Sequence, residues 1–186
     1  MIIEHKETVK SDFEGTVIDI ETTGPFNYGY ADDDSRRYKD IQLVIFGFIN
    51  RHALKILCAE GKGSINELNE LKEEARRIIE ELGRPFHAFN SDFERGVLFY
   101  NLDMEIGFDC ELNKAKFESK AKAREELGIP NYDDPFFDSG YRCMIEWEKG
   151  EYDKCVAHNR ACLLKERDIL LKRGFRKPDE LRFVGE

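Results

Sequence analysis

The segment IQLVIFGFIN at residues 41–50 constrains the fold more than any other part of the chain, because it is apolar at nearly every position. A strand with one wet face alternates apolar and polar residues, so an unbroken apolar run predicts a strand that is covered on both faces. Residues 14–20 and 53–59 are also rich in aliphatic and β-branched residues and predict two further strands. A sheet buried on both faces requires helices on each side of it.

The rest of the chain supplies those helices. Ser64 followed by Glu67 forms a capping box, apolar residues recur at helical spacing up to Leu82, and Gly83 ends the predicted helix. Further helices are predicted from Ser91 or Asp92 to Tyr100, over residues 113–127 and 139–148, and from Asp153 to Arg173, with short strands at residues 84–89 and 105–108. The pattern predicts one α/β domain over residues 1–186, with a mixed β-sheet flanked by helices on both faces.

Composition excludes several classes of protein. The 186 residues are 41% hydrophobic, which is enough for a packed core and argues against wholesale disorder. The formal net charge of −9 opposes attachment to nucleic acid through bulk positive charge. The longest apolar run, residues 43–49, is far shorter than the roughly 18 residues that suggest a membrane span, so no membrane association is predicted.

Cysteine usage and the N-terminal residues predict a cytoplasmic protein. The five cysteines are odd in number and include no Cys-x-x-Cys pair, which disfavours a disulfide framework or a zinc ribbon. Free thiols, buried or partly buried in a reducing compartment, are the expected state. The first ten residues contain no apolar core of the length that a secretory signal needs.

Two acids at the end of the first predicted strand are the strongest chemical signal. Asp19 and Glu21 are one residue apart, and side chains in a strand alternate, so both project from the same face. Two neighbouring carboxylates repel each other unless a cation lies between them, which favours binding of a hard divalent metal ion. The alternative is a solvated strand end that carries ordinary surface acids.

The residues around these acids resemble a known family. GTVIDIETTG, at residues 15–24, resembles the first motif of the DEDD-type 3′–5′ exonuclease superfamily, and FNSDFE, at residues 89–94, resembles the second, with Glu94 where the family has Asp. His158 and Asn159 resemble the start of the third motif in its Tyr-Asn-x-x-Asp version, where Cys162 stands in place of the metal-binding Asp. The resemblance covers nearly the whole chain in order and spacing.

The resemblance implies a ribonuclease H-like fold and hydrolysis of phosphodiester bonds at a single-stranded DNA or RNA end, with two Mg²⁺ or Mn²⁺ ions. The residues that it places in catalysis are Asp19, Glu21, Glu94 and His158; the first three bind metal, and His158 is the general base. The fourth metal ligand stays open between Cys162, a soft thiol at the expected position, and Glu166, one helical turn farther along. Asp138 is a more distant candidate.

The nucleic-acid contacts implied by the same motifs are Thr22, Thr23, Gly24, Asn90 and Phe93. In the loop at residues 25–40, Tyr28 is a candidate for stacking on a terminal base, and Arg36 and Arg37 are candidates for phosphate contacts. In the alternative interpretation, the aromatic residues pin the loop and residues 32–34 form its solvated tip. The charged helix at residues 113–127 is expected to be solvated, with phosphate contact as the alternative.

The substitution at Cys162 leaves two functions open. One is a metal-dependent 3′–5′ exonuclease. The other is a module that keeps the exonuclease fold and binds nucleic acid or a protein without efficient catalysis.

Overall fold

The strands form one mixed sheet in the computed structural model, which describes residues 1–60 and 64–185. The six strands are β1 (Ile2–Thr8), β2 (Thr16–Thr23), β3 (Gln42–Asn50), β4 (Ala53–Ala59), β5 (Phe86–Ala88) and β6 (Cys110–Glu111). Their order across the sheet is β1-β4-β3-β2-β5-β6, with antiparallel pairing from β1 to β2 and parallel pairing from β2 to β6. Strand β2 therefore lies where the antiparallel and parallel parts of the sheet meet.

Five α-helices lie in the described residues, and four of them form two packed pairs. They are α1 (Ile65–Glu81), α2 (Ser91–Leu102), α3 (Lys120–Glu126), α4 (Gly140–Glu148) and α5 (Tyr152–Arg173). Helices α1 and α2 pack against each other and against β3, while α4 and α5 pack against each other and against β2. Residues 43–49 are buried without interruption, as their apolar run predicts. The predicted α/β architecture with a mixed sheet is confirmed.

Two element predictions are wrong, and one strand was not predicted. The strand predicted at residues 105–108 is replaced by β6, which pairs with β5 from His87↔Cys110 onward. The helix predicted at residues 113–127 is only α3, whose N-cap is Ser119, because Asn113 and Glu118 instead bond to other parts of the fold. Strand β1 was not predicted, because at the sheet edge its charged side chains interrupt the apolar pattern.

The N-cap residue predicted from the sequence is correct for α1 and wrong for α2, where a distant residue binds the predicted cap. The predicted N-cap Ser64 of α1 is confirmed, since its Oγ accepts from the Glu67 backbone N–H, and its hydroxyl also donates to the Glu67 carboxylate. Helix α2 is not capped by Ser91 or Asp92; its N-cap is Asn90, and Ser91 donates to Glu111 from both its backbone nitrogen and its hydroxyl.

Helix α5 begins at Tyr152, so the predicted N-cap Asp153 lies inside the first turn. Its N-cap residue is Glu151, which makes no capping hydrogen bond through its side chain. The predicted end is correct: Gly174 is the C-cap residue with a positive φ of 79°, a conformation that glycine adopts without steric cost. The last helix therefore spans Tyr152–Arg173.

The five cysteines are all free and buried, as their number and spacing predict. No helix within residues 1–60 and 64–185 has the length and apolar character needed to cross a membrane.

Candidate functional site

A cavity of about 980 Å³ opens at the carboxyl end of β2. Elements from most of the chain line it: β2, the loop at residues 25–40, α2, the segment leading into α3, α4 and α5. The predicted site residues that border it are Asp19, Glu21, Thr22, Gly24, Tyr28, Arg37, Asn90, Phe93, Glu94, His158 and Cys162. The three motifs identified in the sequence thus converge on one concave surface.

Asp19 is fixed at the base of this cavity by the last helix. It is buried, and its Oδ2 accepts a hydrogen bond of 2.7 Å from Asn159 Nδ2. Gly47 lies opposite Asp19 in β3, and a Cβ atom added there would come within 2.0 Å of Asn159 Oδ1. A glycine at this position therefore allows α5 to approach the sheet closely enough to reach Asp19.

Lys120 is the unpredicted residue at the centre of the site. Its ammonium lies 2.8 Å from Asp19 Oδ1 and 2.5 Å from Glu166 Oε1, so it bridges β2 and α5. Burial works against the charged ammonium, yet the Asp19 and Glu166 carboxylates raise the pKa of Lys120 well above its usual range. The expectation that this charged helix is simply solvated is wrong for Lys120.

Glu94 is buried beside this cluster without a matching cation of its own. Its side chain is 3% exposed, and among residues 1–60 and 64–185 no group donates a hydrogen bond to its Oε2. Burial, reinforced by the charges of Asp19 and Glu166, raises the pKa of Glu94 well above its usual range. An uncompensated carboxylate at the base of a cavity is a feature that fits a bound cation.

Glu166 is the acid that the last helix contributes. It is fully buried, and burial raises the pKa of its carboxyl, while the contact with Lys120 works in the opposite direction. Because Glu166 shares Lys120 with Asp19, it belongs to the acidic cluster. Asp138, the more distant candidate, is instead held by ion pairs to Lys165 and Arg124.

A second cluster joins Glu21, His158 and Cys162. Their ligand atoms all lie within 4.8 Å of one another, and all three side chains are buried, so the cluster could hold a metal ion. Burial raises the pKa of Glu21 to about 7, although His158 works in the opposite direction. Burial also disfavours a charged imidazole, but the influence of Cys162 and Glu21 outweighs it and raises the pKa of His158.

Asp134 fixes the orientation of His158. Its Oδ1 lies 2.7 Å from His158 Nδ1, and its Oδ2 accepts from Lys165 Nζ at 2.7 Å. The backbone N–H groups of Phe136 and Asp138 also donate to this carboxylate. The pKa of Asp134 is well below its usual range, because these hydrogen bonds outweigh the opposing effect of burial. His158 Nδ1 is therefore occupied, and Nε2 faces Glu21 and Cys162.

Aromatic side chains form one wall of the cavity. Phe26 contacts both Tyr28 and Phe93, with ring centroids 5.7 and 5.8 Å apart. Tyr28 is 73% exposed, and the Arg37 guanidinium lies over its ring. Phe117 and Tyr141 also border the cavity and are exposed.

Two of the predicted nucleic-acid contacts do not border the cavity. Arg36 instead pairs with Asp34 and lies over the Tyr30 ring, and Thr23 lies at the end of β2 outside the lining. The solvated tip expected at residues 32–34 is confirmed for Asp33, which is exposed, but is wrong for Asp34, which is buried and whose carboxylate also pairs with Arg182.

Gly24, which does border the cavity, has a structural role of its own. It has a φ of 97°, and a Cβ atom there would lie 2.5 Å from the Asp40 carbonyl oxygen. A side chain at this position would clash with the backbone that closes the loop, so glycine is required whether or not a ligand is bound.

Four residues central to the site were missed by sequence reasoning or given no role: Lys120, Asp134, Asn159 and Lys165. Lys120 carried a weak signal as a basic residue in a charged segment, and Asn159 as the second residue of the third motif. Asp134 and Lys165 carried none, because a buried ion pair between residues 31 positions apart leaves no local pattern.

The fold and site together define an α/β protein with a buried acidic cluster and an adjoining Glu-His-Cys cluster at the end of its central strand. No family model, no curated protein and no solved structure matches the chain. Its function is proposed below from the chemistry of these residues.

Proposed function

We propose that the protein is a metal-dependent nuclease that hydrolyses phosphodiester bonds at single-stranded DNA or RNA ends, with a ribonuclease H-like fold and 3′–5′ polarity. The polarity and the fold type follow from the resemblance of residues 15–24 and 89–94 to the DEDD-type exonucleases. The proposal is supported independently by the chemistry of the cavity, which combines buried acids at its base with aromatic and basic groups at its opening.

The observation that carries the proposal is the charge imbalance around Asp19. Lys120 contacts the buried carboxyl groups of Asp19 and Glu166, and Glu94, buried beside them, has an oxygen atom with no hydrogen-bond donor among the described residues. Isolated buried charges are costly unless they are paired or bind a metal, so the imbalance favours uptake of a further cation. Oxygen ligands of this kind suit Mg²⁺ or Mn²⁺.

Different residues are assigned to the metal and to the substrate. Asp19, Glu94 and Glu166 would hold a hard divalent ion, and Glu21 would be a further oxygen ligand between this ion and the cluster that Glu21 forms with His158 and Cys162. When bound, such ions activate water and neutralise charge on the scissile phosphate. The general-base role of His158 is implied by the resemblance; its Nδ1 is held by Asp134, and its Nε2 faces Glu21 and Cys162.

Substrate recognition is assigned to the opening of the cavity. Exposed aromatic rings stack on nucleobases with little regard for sequence, which suits Tyr28, Phe117 and Tyr141. Arg37 and Lys116 border the same opening and are placed to contact phosphates. A net charge of −9 is compatible with this assignment because the basic groups are local.

The proposal is tested with short single strands of DNA and RNA, labelled at the 5′ or the 3′ end. With Mn²⁺ or Mg²⁺ we expect successive loss of mononucleotides from the 3′ end, and we expect removal of the metal by a chelator to stop the reaction. Strands blocked by a 3′-phosphate serve as the control for end recognition. Intact ends in every metal, from neutral to alkaline pH, would contradict the enzymatic proposal.

A matched pair of aromatic variants tests the binding surface. Tyr141 and Phe137 are exposed to similar extents, 70% and 69%, but only Tyr141 borders the cavity. We expect Tyr141→Ala to weaken single-strand binding by about 1–3 kcal/mol, the usual value for one stacked base. Fluorescence anisotropy with a labelled oligonucleotide measures the change, and Phe137→Ala is expected to bind like the wild type. Equal effects of the two variants would place the binding surface elsewhere.

The position of Lys120 favours a second candidate function. An ammonium that already bridges Asp19 and Glu166 supplies part of the positive charge that a metal would bring. If Lys120 remains there permanently, the cavity binds a strand end without cleaving it. Retention of labelled strands on the protein, with no release of mononucleotides in any metal, would support this function.

A further inference from the structure

The Glu21–His158–Cys162 cluster differs chemically from the acidic cluster beside it. The acidic cluster offers oxygen atoms alone, whereas this cluster offers one oxygen, one nitrogen and one sulfur. Hard ions such as Mg²⁺ avoid thiolate ligands, while Zn²⁺ and Co²⁺ bind thiolate and imidazole well. From this difference we infer that Glu21, His158 and Cys162 form a separate site for a thiophilic transition-metal ion such as Zn²⁺.

The spacing of the ligand atoms fits one small ion. His158 Nε2 lies 3.5 Å from Glu21 Oε1 and 3.8 Å from Cys162 Sγ. In a tetrahedral zinc site with ordinary bond lengths, ligand atoms are about 3.3–3.6 Å apart. The two separations from His158 Nε2 are therefore within a few tenths of an ångström of the required values, and the third pair of ligand atoms lies within 4.8 Å.

The surrounding structure prepares His158 for this role. Metal-binding histidines usually donate their second ring N–H to a carboxylate, which fixes the tautomer and the orientation of the ring. Asp134 accepts from His158 Nδ1 at 2.7 Å and is itself held by Lys165. Nε2 is thus directed at the other two ligands, and a bound ion takes the place of its proton.

The site has three protein ligands and an open side. His158 and Cys162 are one turn apart on α5, and Glu21 comes from the end of β2. All three residues border the cavity although they are buried. Three protein ligands with a fourth position for water or substrate are typical of catalytic zinc sites, whereas structural sites have four. The inference deepens the proposed function by giving its two metal positions different chemistry.

Titration of the metal-free protein with Co²⁺ tests this inference without an activity assay. Thiolate-bound Co²⁺ has an intense charge-transfer absorption in the near ultraviolet and visible bands that report tetrahedral geometry. We expect one Co²⁺ per chain with both features, displacement by one equivalent of Zn²⁺, and no displacement by a large excess of Mg²⁺. Absence of the charge-transfer band at saturating Co²⁺, or its loss on addition of Mg²⁺, would overturn the inference.

Variants assign the signal to particular residues. Cys162→Ser is expected to abolish the charge-transfer band. It should also weaken Zn²⁺ binding by more than roughly 10–100-fold, the loss typical when a residue that hydrogen-bonds to a metal ligand is mutated. Cys110→Ser, at a buried free thiol outside the cavity, is the matched control and should leave the titration unchanged. A band that survives Cys162→Ser would contradict the assignment. Circular dichroism checks that each variant is folded, and His158→Gln replaces Cys162→Ser if that variant is not.

Failure of this inference is distinguishable from failure of the proposed function. Asp19→Asn removes an oxygen ligand of the acidic cluster and leaves Glu21, His158 and Cys162 unchanged. This variant should lose hydrolysis but retain the cobalt spectrum. A protein that cleaves strands with Mn²⁺ but shows no thiolate–cobalt band would keep the nuclease proposal and reject the second site.

Discussion

Replacing Asp19 by asparagine is expected to lower the rate of mononucleotide release by about 1000-fold or more, because metal-assisted charge stabilisation contributes several kcal/mol to such reactions. Asp19 is the acid in contact with both Lys120 and Asn159, at the centre of the cluster. Asparagine keeps the shape of the side chain but removes its charge and one acceptor oxygen. Steady-state rates with 5′-labelled single strands measure the effect.

Stability measurements separate this loss from misfolding. In Asp19→Asn the ammonium of Lys120 still has Glu166 as a partner, so we expect the metal-free unfolding free energy to change by no more than about 2 kcal/mol. Mn²⁺ should stabilise the wild type against urea and stabilise the variant much less. Asp12→Asn, at an acid fully exposed to solvent, is the control and should retain full activity. Wild-type rates in Asp19→Asn would remove this residue from the mechanism.

Replacing Lys120 by methionine is expected to have the largest effect on stability. The substitution preserves most of the side-chain volume but leaves Asp19 and Glu166 without their shared cation. Removal of one partner from a buried ion pair commonly costs about 3–5 kcal/mol, and we expect a loss of this size in the metal-free protein. Urea unfolding monitored by circular dichroism measures it.

Addition of Mn²⁺ shows what Lys120 does. If its ammonium stands in for a metal ion, saturating Mn²⁺ should restore most of the lost stability, because the divalent ion compensates the same carboxylates. Lys122→Met is the matched control: Lys122 lies on the same helix, its side chain is 65% exposed, and its ammonium lies 3.9 Å from Glu126. A loss below about 1 kcal/mol in Lys120→Met, or a loss that Mn²⁺ does not reduce, would contradict this role.

The sheet and the three motifs were predictable because they depend on neighbours in the chain. The apolar run at residues 41–50 predicted a strand covered on both faces, and the spacing of Asp19 and Glu21 placed both acids on one side of β2. Both features follow from the two-residue repeat of a strand. The N-cap Ser64 was predictable for the same reason, since its hydrogen bonds with Glu67 join residues three positions apart.

The errors arose where distant residues compete with local signals. Ser91 has the chemistry of an N-cap, but Glu111 takes its hydroxyl and backbone N–H. The charges of residues 113–127 suggested one solvated helix, but Glu118 is paired with Arg173, and α3 is short. Asp34 was expected at an exposed loop tip, and its pairing with Arg182 buries it.

By itself, the sequence determined an α/β fold and the presence of acids at the end of its first buried apolar strand. Both follow from the spacing of apolar and polar residues along the chain. Only the tertiary structure decided which groups surround those acids. Lys120 reaches Asp19 across 101 positions of the chain, and Asn159 reaches it across 140. Such contacts depend on how whole elements pack, as where Gly47 lets α5 approach the sheet. The charge balance of the site is therefore a property of the packed fold.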